Sequence, residues 1–537
     1  MKLRHSLLPL LMTAFCGCSH EAENVETFPL SDIVVEPSLS ERIDRNLQRL
    51  QDDIYQPPHV FEDLNWPGDF IGRTILGLTM ESEASHKKTE LLPMLIDSLP
   101  HKFNAKGYLG PDYSPAINEQ QISGHGWLLR GLCEYYRFTG DENVLESVRS
   151  IAENLFVAGK GKYSAYPVSA GERTNQGGEA SGSIASQDEN WILSTDIGCV
   201  FIGMAGLIDA YEMIPENDIK ETIDEMVACF LGVDLTGIQA QTHATLSALR
   251  ALIKYSRLTG DENLLDEVLS RWQTYVSEGM TCCYANYNWF GRPDSWTEPC
   301  AIVDSYIVAF ELWKATMDPS FRDIAELIEV NAIGHAQRRN GGFGCDSCPS
   351  EENPFLTISI PEAYWCCTMR GAEGLSRIAE SSWAVKGHSL YVPFYRNGCL
   401  CADDLEIEEK TDYPDSGKVM IKFYVNERKI SSLLLPDLPW AELTQITLNG
   451  ETVSTETVDG MLCLNRTFEH GDVVEISFGM PLRSDEWNGS RRFFAGPVML
   501  GYRGETAIGA ADAEGNLEPV RNLMEYMDQD HVQVLFK

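Results

Sequence analysis

From about residue 40 apolar side chains recur at steps of three and four, beginning with Ile43, Leu47 and Leu50. That spacing predicts amphipathic helices that pack by one face. The stretch Tyr136-Arg137-Phe138-Thr139-Gly140-Asp141-Glu142-Asn143 returns as Ser256-Arg257-Leu258-Thr259-Gly260-Asp261-Glu262-Asn263. In both copies a glycine ends one helix and an Asp or Asn caps the next. An apolar helical stretch precedes each copy, with His125 near the start of the first and His243 near the start of the second. A third such stretch, Gly203 to Tyr211, lies between them. Repeated helical hairpins bury their apolar faces on one another, and a closed ring is one stable solution. The expected architecture is therefore an (α/α)6 toroid of six hairpins over residues 41–385. After Gly387 the pattern changes: Leu390 to Tyr395, Lys418 to Phe423 and Val473 to Phe478 alternate or run apolar over strand lengths, with turns at Asn449-Gly450 and His470-Gly471-Asp472. These predict a β-sandwich over residues 386–537, so the fold class is mostly α with C-terminal β. Residues 18–40, with Pro29 and Pro37 and little periodicity, read as a linker.

The first residues read as an address. Met1-Lys2-Leu3-Arg4 is basic, Leu7 to Phe15 is apolar but too short to span a bilayer, and Cys16-Gly17-Cys18 gives way to a polar stretch. This resembles a bacterial lipoprotein signal over residues 1–17 with Cys18 as the acylated residue. Phe15 stands where such signals usually carry Leu, so cleavage as a plain secretory peptide is the other reading. The expectation is export and attachment to the outer membrane, at its periplasmic face or the cell surface, through that lipid alone. The chain of 537 residues is 43% hydrophobic and 23% charged, an ordinary globular composition. Its net charge of −38 is spread along its length and repels phosphate backbones, which argues against nucleic acid as a partner. A neutral sugar is unaffected by that field.

Charge excludes; the cysteines suggest. Of 15 cysteines, two fall in the signal. Between Glu298 and Cys367 lie Glu298-Pro299-Cys300, Cys345-Asp346-Ser347-Cys348 and Cys366-Cys367. Thiolate sulfur with a carboxylate oxygen is a donor set for zinc. Buried thiols or disulfides are the alternative reading, since an exported chain meets oxidising surroundings. Asn65-Trp66-Pro67-Gly68-Asp69 sets Trp66 beside Asp69, either as a platform for a sugar ring or as a capped turn. Trp296, Tyr364 and Trp365 flank the cysteine motifs as further stacking candidates.

These motifs together resemble glycoside hydrolase family 127, the zinc-cysteine β-L-arabinofuranosidases, and its relative family 146. The resemblance is carried by Gly124-His125, Thr242-His243-Ala244, Glu298-Pro299-Cys300, Trp365-Cys366-Cys367-Thr368, Thr411-Asp412-Tyr413-Pro414, Leu448-Asn449-Gly450-Glu451 and Ala495-Gly496-Pro497. It implies a zinc ion held by Glu298, Cys300, Cys366 and Cys367. It also implies Cys366 as the nucleophile of a retaining hydrolysis of an oligosaccharide or polysaccharide, with His125 and His243 lining the sugar pocket. Two departures stand out. Retaining hydrolysis needs a proton donor, yet where the family carries its Glu this chain has Cys282. Glu278 is the nearest upstream carboxylate and becomes the candidate acid, with Asp294 as the other. A third family histidine is replaced by Phe201. The insertion Arg338-Arg339-Asn340-Gly341-Gly342-Phe343-Gly344 reads as a loop over the pocket, with Arg338 or Arg339 available to an acidic sugar. Cys345 and Cys348 read as extra zinc ligands or a disulfide. Arg370 reads as a structural partner of Glu373. A catalytically silent carbohydrate-binding lipoprotein, or another toroid enzyme such as a polysaccharide lyase or uronyl hydrolase, are the alternatives.

Overall fold

The computed structural model describes residues 24–62, 65–173, 175–178, 180–504, 506–513, 515–520 and 531–537. The expected signal and Cys18, the expected acylated residue, lie outside them. The α-helices before the β-rich region, in chain order, are α1 (Pro37–Arg49), α2 (Asp69–Ala84), α3 (Leu91–Ser98), α4 (Glu119–Thr139), α5 (Glu142–Ile151), α6 (Val200–Met213), α7 (Asn217–Leu231), α8 (Thr242–Thr259), α9 (Asn263–Glu278), α10 (Pro299–Thr316), α11 (Pro319–Ile328), the single turn α12 (Gly334–Ala336) and α13 (Cys367–Glu380). Six of them close a ring: α2 packs on α4, α4 on α6, α6 on α8, α8 on α10, α10 on α13, and α13 back on α2. Six others, α1, α3, α5, α7, α9 and α11, form the outer layer, each against an inner neighbour. This is the expected (α/α)6 toroid, followed by the expected β-rich region.

Burial separates the layers. In α2 and α6 almost every residue is buried, as a helix enclosed on all sides requires, whereas outer helices such as α5 and α9 bury one face. Inner helices approach closely where side chains are missing. A Cβ on Gly72 of α2 would lie 2.3 Å from the Leu128 nitrogen of α4, and one on Gly206 of α6 would lie 2.2 Å from the Gly126 oxygen. The repeated cap motif forms as the sequence predicts: Gly140 and Gly260 adopt φ of 69° and 72°. The next helices are capped by Asp141, which accepts from the Asn143 N–H at 3.0 Å, and by Asp261, which accepts from that of Asn263 at 3.1 Å.

Charge fills the ring below its mouth. Arg130 donates to Glu373 at 2.8 Å, Arg250 joins it at 3.0 Å, and Arg370 bridges Glu373 and Asp304, the latter at 2.6 Å. The guanidinium groups of Arg73, Arg130 and Arg370 lie over the Trp127 ring. Arg370 is thus the structural partner of Glu373 that the sequence suggests. Removing one member leaves buried cations uncompensated, so Glu373→Ala is expected to cost about 3–5 kcal/mol. Urea unfolding followed by circular dichroism measures it, and a loss under about 1 kcal/mol would mean the network behaves like surface pairs.

Two sheets form the sandwich, with an unforeseen contribution from the chain's start. In one, Ile33–Val35 pairs antiparallel with Gly398–Ala402, beyond which Leu405–Thr411, Lys418–Val425, Val473–Gly479 and Glu442–Leu448 follow in order. In the other, Glu26–Thr27 pairs with Ala384–Lys386. The stretch expected to be a linker is therefore partly strand, because Ile33 and Val35 bury alternate positions against the sandwich. A third sheet carries the chain's end back to the toroid: Leu482–Trp487, Ser490–Ala495, Val498–Arg503, His531–Gln533, Phe355–Ile360 and Cys345–Asp346 lie side by side.

Candidate active site and metal centre

Two inner helices begin at one place and supply the cluster. Glu298 is the residue before α10, with extended backbone, and Pro299 occupies the first helical position, where its missing N–H costs nothing. Cys300 follows in the first turn. Cys366 precedes α13 with φ −146° and ψ −61°, a bend that brings two adjacent thiols to the same side. The Cys366 and Cys367 sulfurs lie 3.3 Å apart, and those of Cys300 and Cys367 lie 3.7 Å apart. One donor atom from each of Glu298, Cys300, Cys366 and Cys367 lies within 4.8 Å of every other. Glu298 Oε2 is buried with no hydrogen-bond partner. Three sulfurs and an orphaned carboxylate oxygen fit a tetrahedral cation site.

Electrostatics agree. Burial pushes the Cys300 and Cys367 thiols well above their ordinary range. At Cys366 the hydrogen bond with Cys300 lowers the thiol's proton affinity, but the Cys367 thiol and burial outweigh it and the net direction is upward. Such thiols stay protonated at neutral pH unless a cation holds them as thiolates. Burial also raises the proton affinity of Glu298, yet His243 and Arg73 reverse this and hold the carboxyl below its ordinary value. Arg73, on α2, donates to the Cys300 sulfur at 3.4 Å while Asp69 grips it at 2.6 and 3.0 Å. Arg73 was invisible in the sequence beyond its four-residue spacing from Asp69.

The two histidines part company. His243 places Nδ1 3.3 Å from Glu298 Oε1 and Nε2 3.6 Å from Asp304 Oδ2, and its ring stacks on Trp127. It braces a donor carboxylate, as residues behind metal ligands do. His125 corrects the expectation of a sugar contact. Its Nδ1–H donates to Gln121 O at 2.8 Å and its Nε2 accepts from the Leu109 N–H at 3.0 Å, so neither ring nitrogen is left for a hydroxyl. Burial lowers its pKa to about 4, which keeps the ring neutral. Asp69 is likewise taken up by Arg73. Trp66 is half-buried against a cluster that includes Leu76, Met80 and Trp127, and Trp296 packs edge-on to Trp289. Trp365, beside Cys366, is 47% exposed and available for stacking.

Neither carboxylate offered as the acid joins the cluster. Glu278 is exposed at the end of outer helix α9, and Asp294 is exposed and paired with Arg292 at 2.8 Å. Cys282 is buried with Leu356 and Phe494, and Phe201 lies edge-on to Tyr166 and Phe230. A carboxyl that sequence reasoning missed does lie near: Asp196, four residues before α6. The adjacent Ile197 O accepts from the Gln241 N–H at 2.9 Å, which ties this segment to the start of α8 and His243. Asp196 accepts from the Ser181 hydroxyl at 2.9 Å and the Gly182 N–H at 2.8 Å, and burial pushes its pKa up to about 7, with the Glu298 charge adding to the rise. The Arg338 expectation is corrected too. Its guanidinium is spent on Pro361 O, His335 O, Cys345 O and Asp346, inside the protein. Cys345 and Cys348 are both free thiols, not a disulfide.

Residues 389–480 match the model of the β-L-arabinofuranosidase GH127 middle domain. A structure titled as a GH127 β-arabinofuranosidase is 14% identical, with a TM-score of 0.68 over 96% of this chain and 98% of its own. A glycoside hydrolase structure is 15% identical, with a TM-score of 0.71 over the same shares. The GH127 β-L-arabinofuranosidase from Geobacillus stearothermophilus T6 is 15% identical, with a TM-score of 0.65 over 88% of this chain and 86% of its own. No curated protein matches the sequence. The class that fold and middle domain define is that of a glycoside hydrolase on an α/α toroid. Within it, residues 389–480 and the toroid fold are similar to those of family 127 β-L-arabinofuranosidases, at 14–15% identity.

Proposed function

We propose that the protein is a retaining, β-L-arabinofuranosidase-like hydrolase of plant or microbial polysaccharide fragments, with Cys366 as nucleophile, exported and tethered by a lipid on Cys18. The observation that carries this reading is the meeting of the Glu298 oxygen with the sulfurs of Cys300, Cys366 and Cys367. These four side chains would hold a zinc ion, which when bound stabilises thiolate at neutral pH. The Cys366 sulfur attacks the anomeric carbon, and the bond from that carbon to the leaving oxygen breaks. We assign the proton on that oxygen to Asp196, whose raised pKa keeps it protonated below about 7. Asp196 then takes a proton from water as the water displaces sulfur, and two inversions give net retention. Arg73 and His243 hold Cys300 and Glu298 in place throughout.

A metal assay and a panel of aryl glycosides test this. The expected result is about one zinc per chain, in line with a single four-donor site, and turnover of a β-L-arabinofuranoside or a related sugar that chelation removes and zinc restores. The burial of Cys282 where the family has a carboxylate favours one rival, a catalytically silent carbohydrate-binding protein. Sugar binding without turnover of any glycoside would establish it.

A further inference from the structure

Two thiols stand side by side on the outer face of the sandwich, away from the cluster. In the strand Gly398–Ala402, Leu400 is fully buried, so by alternation Cys399 and Cys401 both point away from the core. Cys399 is half-buried and Cys401 exposed, their sulfurs lie 3.0 Å apart, and neither is in a disulfide. The ladder with Ile33–Val35 runs from Gly398 to Leu400, with Val34 opposite Cys399, and stops short of Cys401. On the other side Glu408 stands opposite Cys399 and Glu406 opposite Cys401, so all four side chains share one face. Lys410 pairs with Glu408, whereas Glu406 is exposed beside Cys401.

A single surface thiol can only form an adduct, but two in contact can close on each other. We propose that Cys399 and Cys401 are a surface dithiol that exchanges with uncharged or cationic disulfides and closes to a reversible intrachain disulfide. Cys401, the exposed member, attacks one sulfur of the partner disulfide as thiolate. The partner's S–S bond breaks, and the departing sulfur takes the electron pair and then a proton. Cys399 gives its proton to water and attacks the Cys401 sulfur, which expels the partner's other half as a second thiolate. Two protein thiols are thereby oxidised and one disulfide is reduced to two thiols. Burial, Cys401 and the Glu406 and Glu408 carboxylates raise the proton affinity of Cys399, which leaves the first attack to Cys401. Two residues of strand span about 6.4–6.8 Å, the long end of the roughly 4.4–6.8 Å that a disulfide bridges between Cα atoms. The closed ring is therefore strained, and thiols reopen it readily. The preference on charge follows from Glu406 beside Cys401 and from the net charge of −38, which repel an anionic reagent.

Intact mass and peptide mapping of the full chain test it. Wild type, Cys399→Ala and Cys401→Ala are treated with cystamine, hydroxyethyl disulfide or glutathione disulfide, then quenched with acid and alkylated. Wild type is expected to become lighter by two hydrogens, mapped to the peptide of Cys399 and Cys401 and not to that of Cys366 and Cys367. Excess reduced glutathione should restore both thiols. Cys399→Ala should stop at the adduct on Cys401, and Cys401→Ala should react far more slowly at this peptide. Cystamine should outpace glutathione disulfide about 10-fold at low salt, with the gap closing as salt screens the carboxylates. Both side chains face outward, so circular-dichroism melting like that of wild type shows that the variants fold. An adduct that persists on wild-type Cys401 without closing overturns the inference, as does a disulfide that glutathione cannot reopen, or no reaction at all. Equal rates for cystamine and glutathione disulfide overturn the charge preference. The hydrolase reading stands or falls separately, since it uses neither thiol.

Discussion

Cys366→Ser is expected to lower glycoside turnover by at least about 10³-fold while sugar binding changes little. Serine keeps the size and loses the chemistry. Its hydroxyl holds its proton far more tightly than a thiol and is a weak ligand for a cation that binds thiolate well. The structure explains why the effect should be confined to the chemical step. Cys366 is the half-buried member of the sulfur set, facing the mouth, whereas Cys300 and Cys367 are fully buried beneath it. Cys300→Ser should instead show first as weakened metal binding, because its sulfur is held by Arg73 behind the cluster. A quench of wild-type enzyme during turnover should reveal a chain heavier by one sugar residue, mapped to the peptide of Cys366. Retention of a tenth or more of the turnover by Cys366→Ser would remove Cys366 from the role of nucleophile, whatever the metal content.

The donor set was named through the family resemblance, which picked Glu298, Cys300, Cys366 and Cys367 from the cysteines of this stretch, and each half of it is local. A Glu-x-Cys at a proline-led helix start and a doubled cysteine at a bend each prepare two donors, and only their meeting needed coordinates. The ring was legible for a related reason: Gly140 and Gly260 end helices by the same left-handed turn, and the repeat announces itself. What failed to show was set by distance in space. Arg73 reaches Cys300 across the ring, and Asp196 meets the site through Gln241, so no local pattern marks either. His125 and His243 have the same setting in sequence, near the start of an inner helix. Their partners decide their fates: Gln121 O and the Leu109 N–H occupy the first, while Glu298 and Asp304 flank the second. Glu278 is close to the motif along the chain but is the last residue of an outer helix, where proximity in sequence carries no proximity to sulfur. The strands Glu26–Thr27 and Ile33–Val35 are two and three residues long, too short for any alternation to register.

Asp196→Asn should reduce turnover by an amount that depends on the leaving group. General acid catalysis contributes about 10²–10⁴-fold, and it is needed only where the departing oxygen is basic. A natural sugar or alkyl leaving group should therefore lose that full factor, whereas a dinitrophenyl glycoside, whose phenolate departs without a proton, should lose little in the glycosylation step. The pH profile supplies a second, independent signature. Burial raises the Asp196 pKa from its ordinary value to about 7. The group is thus the protonated donor below that value, and kcat/KM for a poor leaving group should fall as pH rises through it. Asparagine has no proton to lose, so the variant should lack this alkaline limb while retaining any limb owed to the metal-bound cluster. A purely structural role for Asp196, as the acceptor that holds Ser181 and Gly182, predicts otherwise: all substrates slowed alike and the limb unchanged. That outcome would return the search for the acid to the remaining carboxylates around the mouth. Glu362 stands first among them, since it bonds Thr368 at 3.0 Å beside the paired cysteines, although Arg49 at 2.9 Å and Asn340 at 2.6 Å already claim it.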